Sequence, residues 1–147
     1  MARMALGMAL GLGLSMGLAL AAGAQEAEPD ESCVGKVRLR GPIWDITTNQ
    51  IEPGLGPVLD DVAKAYHEHC AGKLVVIESH AYSLPTPELN EMVAELRAEV
   101  VRHELEKRGV PASEMILAPI GSGRPMFPGS GADWADRNRR ITFRVAN

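Results

Sequence analysis

The sequence predicts an α+β two-layer sandwich in which two helices pack on one mixed sheet, with elements running β-α-β-α-β-β. Three observations carry this prediction. Residues 57–70 and the stretch after Thr86 place apolar side chains at helical spacing. Residues 74–78 form a continuous apolar run, and residues 140–145 alternate strictly. The length of 147 residues suits one ordinary domain and is too short for two with separate cores. Hydrophobic residues at 46% against 23% charged exclude wholesale disorder. A formal net charge of −4 with 4% aromatic residues argues against nucleic acid as a partner, because phosphate binding needs a basic face and stacking platforms.

In chain order, residues 34–40 form a weakly alternating lead-in, and residues 42–46 bring Ile43, Trp44 and Ile46 together as a short strand. Residues 47–56 hold Asn49, Pro53, Gly54 and Gly56 and form a turn-rich connection. From 57 to 70, Val58, Leu59, Val62, Ala63 and Tyr66 make one apolar helical face opposite Asp60, Asp61, Lys64, His67 and Glu68, and Gly72 ends the helix. The run at 74–78 has the length and β-branching of a buried strand. Thr86 is a helix N-cap with Pro87 at the first helical position. Leu89, Met92, Val93, Leu96, Val100 and Leu105 then mark a long amphipathic helix that Gly109 and Pro111 stop. Residues 115–120 are apolar enough for a strand, and 121–132 form a Gly/Pro-rich loop. The alternation of Ile141, Phe143 and Val145 with Arg140, Thr142 and Arg144 describes a half-buried strand near a sheet edge. The expected core is Ile43, Ile46, Val62, Leu74, Val76, Met92, Leu96, Val100, Ile141 and Phe143.

Residues 1–24 differ sharply from the rest. Arg3 is their one charge, residues 6–20 are apolar, and Ala22-Gly23-Ala24 places small residues at the −3 and −1 positions of a cleavage site before Gln25. This pattern predicts a cleaved secretion signal and a periplasmic protein. The competing reading is a retained membrane anchor; the glycine content and the Ala-x-Ala end favour cleavage. Residues 25–32 are polar and acidic and form a linker. In an exported chain the even pair Cys33 and Cys70 predicts a disulfide. Its loop of about 38 residues corresponds to about 4 kcal/mol in the chain-entropy model. A metal site at His67, His69 and Cys70 is the rival, and no second cluster completes a tetrahedral set.

The chain offers little catalytic chemistry. It has no Gly-x-Ser-x-Gly elbow, and loop glycine explains Gly121-Ser122-Gly123 and Gly129-Ser130-Gly131 more simply. It has no phosphate loop, no metal-ligand spacing among His67, His69, His80 and His103, and no cofactor motif. Two features remain. His80 lies at the end of a buried strand, where loops carry binding groups. Arg137, Arg139 and Arg140 open the last strand, with Arg97 on the long helix; guanidinium groups suit a planar carboxylate because each donates two parallel hydrogen bonds. The plainer account makes these arginines solubilising charges and ion-pair partners.

At this point the residues resemble the OmpA-like C-terminal domain family, found in outer-membrane proteins, peptidoglycan-associated lipoproteins and flagellar stator proteins. Ile43-Trp44-Asp45-Ile46 followed by Ile51 and Pro53 is similar to the family's opening strand and turn. Leu74 to His80 resembles the strand entering its Gly-His-Thr-Asp motif. Asn90, then Leu96-Arg97-Ala98 and Val101, resembles its helix, Gly121-x-Gly123 with Pro125 its loop, and Asn138-Arg139-Arg140-Ile141 its Asn-Arg-Arg-Val strand. The likeness covers residues 42–145, so with the signal peptide at 1–24 and a linker and lead-in at 25–41 the domain is expected at 42–147. It implies a non-enzymatic, cell-wall-associated domain that binds the diaminopimelate of peptidoglycan, with outer-membrane association through a partner. It implies that Arg97 grips the ligand carboxylate, with His80, Asn90 and Arg139 nearby. The chain reads Ser79-His80-Ala81-Tyr82 where the family reads Gly-His-Thr-Asp, so Tyr82 replaces the acid that accepts from the ligand ammonium. The alternative is a protein–protein interaction subunit that keeps the fold without the wall ligand, with Tyr82, the Pro85/Pro87 loop and Trp134 as contact residues.

Overall fold

A computed structural model of the chain describes Cys33, Val34 and residues 38–40, 43–45 and 50–146. The predicted signal segment, most of the linker and lead-in, and Ile46 lie outside the described residues. The elements are β1 (Arg38–Arg40), β2 (Trp44–Asp45), β3 (Gln50–Ile51), α1 (Leu55–His69), β4 (Val75–His80), α2 (Pro87–Glu106), a 3-10 turn at Ala112–Glu114, β5 (Met115–Gly121), α3 (Ala132–Asn138) and β6 (Arg140–Val145). A four-stranded mixed sheet has the order β1-β6-β4-β5, and β2 and β3 form a separate small ribbon. β4 and β5 run parallel, joined by α2, while β6 is antiparallel to both β4 and β1. The architecture is α+β, as the sequence predicts, with α3 as an added helix.

α1 buries Leu55, Leu59, Val62, Ala63 and Tyr66, all on one face of a 3.6-residue period. They meet Val75 and Ile77 of β4, Ile141 and Phe143 of β6, and Ala98, Val101 and Leu105 of α2 in one hydrophobic core. α2 starts where predicted: the Thr86 Oγ1 accepts a hydrogen bond from the Leu89 N–H at 3.3 Å, with Pro87 in the first turn. It ends in a Schellman motif. Val110 N–H donates to the Leu105 carbonyl at 3.1 Å, Gly109 N–H donates to that of Glu106 at 2.9 Å, and Gly109 has φ +84°. Glu104, Arg108 and Asp60 tie this end to α1: Arg108 donates to Glu104 at 2.9 Å and to Asp60 at 2.7 Å.

Several expectations are corrected. The connection at 47–56 contains β3, which pairs with β2. β6 lies near the sheet edge as expected, one strand in from β1, with partners on both sides; its strict alternation reflects one sheet face buried by helices, and the edges are β1 and β5. Pro119, which lacks an N–H, is tolerated because β5 is an edge. The Gly/Pro-rich loop is followed by α3, seven residues without an apolar repeat. Among the expected core residues, Leu74, Met92 and Leu96 are exposed, and Val100 is partly buried against the core. Val76 is buried outside the main cluster, because successive strand residues point to opposite faces. The buried side of α2 is instead Asn90, Ala94, Arg97, Ala98, Val101, Glu104 and Leu105. Small residues there let the helix approach the sheet closely.

Cys33 and Cys70 form a disulfide, with Cα atoms 5.5 Å apart, that fastens the lead-in to the C-cap of α1. Mass spectrometry of the non-reduced protein is expected to find no alkylatable thiol, and reduction is expected to lower stability by about 4 kcal/mol. Two free thiols would overturn the pairing.

Candidate ligand-binding site at the end of the parallel strands

The carboxyl ends of β4 and β5, the first half of α2, α3 and the start of β6 meet at one end of the sheet. Their approach depends on Gly121. Its φ is +56°, and a Cβ there would stand 2.8 Å from the backbone nitrogen of Glu91. Gly121 also accepts a hydrogen bond from Ala81 N–H at 3.1 Å, which fixes the chain leaving β4. Gly121→Ala is therefore expected to destabilise by about 2 kcal/mol or more, from left-handed strain and the forced retreat of α2. A clear fall in melting temperature checks it; an unchanged one refutes the close approach.

Two asparagines hold the loops. The Asn90 amide oxygen accepts from Leu84 N–H at 3.1 Å, and its nitrogen donates to the Leu84 and Thr86 carbonyls at 2.9 and 2.8 Å. Its amide is thus spent on the 83–86 loop, and Asn90 is a positioning residue. Asn138 does the same for the second loop. Its oxygen accepts from Met126 and Phe127 N–H at 2.7 and 3.0 Å, and its nitrogen donates to the Phe127 and Trp134 carbonyls at 3.1 and 2.9 Å. Sequence reasoning missed this role, although the Asn-Arg-Arg signal marked the residue.

Between these loops lies a cationic cluster. Arg97 is 9% exposed; burial and the neighbouring Arg139 guanidinium lower its pKa to about 10. Arg139 pairs with Asp136 at 2.8 Å. Arg140 is buried, donating to the Asn138 carbonyl at 3.1 Å and to that of Arg124 at 3.2 Å. His80, the last residue of β4, is 2% exposed, and neither ring nitrogen has a hydrogen-bond partner. Its pKa falls to about 4, first through burial, then through Arg140; Glu78 opposes this, and Arg124 and Arg97 add to it. Glu78 accepts from Arg144 at 2.9 Å and faces Arg124 at 3.9 Å. Tyr82 is buried, which raises its phenol pKa, while Arg140 pulls the other way. Its ring stands edge-on to Trp134 with centroids 5.0 Å apart. The Trp134 indole donates to the Phe127 carbonyl at 2.6 Å, and Arg137 covers the Phe127 ring at 4.4 Å.

The structure thus brings Arg97, Arg139, His80 and Tyr82 to one place and assigns Asn90 to loop support. A guanidinium in such a place is chemically suited to a planar carboxylate, because it donates two parallel hydrogen bonds.

Comparisons with known proteins bear on the family and the fold. Residues 44–139 match the model of the OmpA family. The chain is 28% identical over 97 residues to the peptidoglycan-associated lipoprotein of Buchnera aphidicola subsp. Baizongia pistaciae, a match covering 66% of this chain and 56% of that protein. This chain therefore spans little more than half the length of that relative. Among solved structures, the peptidoglycan-associated lipoprotein from Burkholderia pseudomallei superposes with a TM-score of 0.61 at 22% identity, over 74% of this chain and 91% of that one. The C-terminal domain of Helicobacter pylori MotB gives 0.64 at 16% identity, over 77% and 86%. The cell wall anchor of the T6SS from Pseudomonas aeruginosa gives 0.59 at 20% identity, over 74% and 78%. These likenesses concern the fold. The family model spans well over half of the chain, and the chain belongs to the OmpA family.

Proposed function

We propose that this is a non-enzymatic periplasmic domain that associates with the cell wall by binding a carboxylate of the peptidoglycan stem peptide weakly at the cationic end of the sheet. The observation that carries the reading is Arg97: a buried guanidinium beside Arg139, on the residue that the family resemblance assigns to the ligand carboxylate. Tyr82 stands where the family places an acid, so a ligand ammonium loses a charge-assisted partner worth about 1.5–3 kcal/mol. A tyrosine ring returns a cation–π contact of about 0.5–2 kcal/mol. Without that return the affinity falls about tenfold to a hundredfold below that of a site with the acid, and with it by less.

Sedimentation with purified peptidoglycan tests the reading. Wild type is expected to co-sediment weakly, Arg97→Ala to stay in the supernatant, and Tyr82→Asp to pellet more strongly. A second reading rests on the half-buried Trp134, whose ring packs edge-on against the buried Tyr82 at the position of the motif acid. In that case the domain keeps the fold as an envelope protein-interaction subunit. If wild type and Tyr82→Asp both stay in the supernatant, this second reading replaces the first.

A further inference from the structure

α2 carries apolar side chains on two sides. Its buried side is built of small and polar residues. On the far side, Leu89, Met92 and Leu96 are 38%, 52% and 61% exposed. Their i, i+3, i+7 spacing puts them in one stripe, turned about 150° from the centre of the buried side at 100° per residue. The half-buried Val93 and Val100 border the stripe on one side. Glu88, Glu91, Glu95 and Glu99 form a row on the other. Single exposed apolar residues are ordinary, but a contiguous row of large ones rimmed by polar residues is a docking feature.

The charge next to the stripe selects what covers it. Residues 87–96 contain three acids and no lysine or arginine. Arg102 pairs with Glu99, whereas Glu88, Glu91 and Glu95 join no ion pair among the described residues. A second copy docked stripe to stripe would bring two such rows within a helix–helix spacing of about 8–10 Å, with no base to offset them. The acidic row also opposes an anionic membrane surface. Residues 25–32 of this chain hold four acids and no base, so they do not fit either. We propose that the Leu89–Met92–Leu96 stripe docks a basic amphipathic helical segment of a partner protein, its apolar face on the stripe and its lysines or arginines against Glu88, Glu91 and Glu95. The inference is independent of the wall-binding reading, because the stripe is centred about 105° round the helix from Arg97 and shares no residue with the cationic cluster.

The probe is a fluorescent amphipathic peptide of roughly 18 residues, with leucine on one face and lysine on the other, long enough for five turns. Fluorescence anisotropy is expected to show binding to wild type and none for a leucine/glutamate peptide of the same length. The triple variant Leu89→Ser, Met92→Ser, Leu96→Ser is expected to weaken binding about tenfold or more. Glu91→Lys with Glu95→Lys is expected to weaken it by a similar factor. All three apolar positions are exposed, so the triple variant should melt and pellet with peptidoglycan as wild type does. Equal affinity of triple variant and wild type overturns the proposal. So does a wild-type dimer that the triple variant dissolves, or capture of wild type but not the triple variant by vesicles of phosphatidylcholine and phosphatidylglycerol.

Discussion

Leu105→Ala is expected to lower the unfolding free energy by about 2–5 kcal/mol, whereas Leu96→Ala is expected to change it by no more than about 0.5 kcal/mol. Both leucines lie on α2, and both belong to the apolar pattern by which the sequence marks that helix. Leu105 is 1% exposed in the central core and supplies the carbonyl that closes the Schellman motif with Val110. Truncation there removes buried methyl groups and leaves a cavity under a helix end. Leu96 is 61% exposed, so its truncation removes little contact. Urea unfolding of both variants measures the difference. Similar losses, or a larger loss at Leu96, would mean that α2 is rotated from the position described.

His80 is expected to make the domain acid-labile. Its pKa is about 4 in the folded protein against an ordinary value of 6.5, because burial and the surrounding arginines disfavour the imidazolium. Above pH 6.5 the ring is neutral in both states and the difference has no effect. As pH falls below 6.5 the unfolded chain takes up the proton first, so stability declines through the window from 6.5 to about 4. At about 1.4 kcal/mol per pH unit between the two values, about 3 kcal/mol is lost by the acid end. His80→Gln removes this component whatever its effect at neutral pH. The wild-type minus variant unfolding free energy, followed from pH 7 to pH 4, should therefore fall by about that amount. A flat difference would mean that the ring is solvated.

Leu105 and Leu96 mark where the sequence was legible and where it was not. The strands β4 and β6 and the helix α1 declare themselves because large apolar residues fill their buried faces, as at Leu59 and Val62 or Ile141 and Phe143. α2 hides its buried side because closeness to the sheet demands small residues at Ala94 and Ala98, and the site demands polar ones at Asn90 and Arg97. Hydrophobic periodicity weights large side chains and therefore selected the wrong face. α3 is a short helix with no apolar period, held by one asparagine, and could not be separated from the loop before it. Of the site, His80, Arg97 and Arg139 were legible from position and residue type, whereas Tyr82 and the joint role of the four were legible only through the family resemblance. The loop-holding roles of Asn90 and Asn138 depend on where backbone amides turn, which no spacing encodes.

The placement of β6 between β1 and β4 has a kinetic consequence. Leu39 pairs with Ile141, and Val75 with Val145, so the strand that completes the sheet bridges neighbours from early and middle parts of the chain. Until residue 140 is available, β4 and β5 have only each other, and β1 has no neighbour in the sheet. A partly synthesised chain thus lacks the final clamp, and folding waits on the closure of its longest loop.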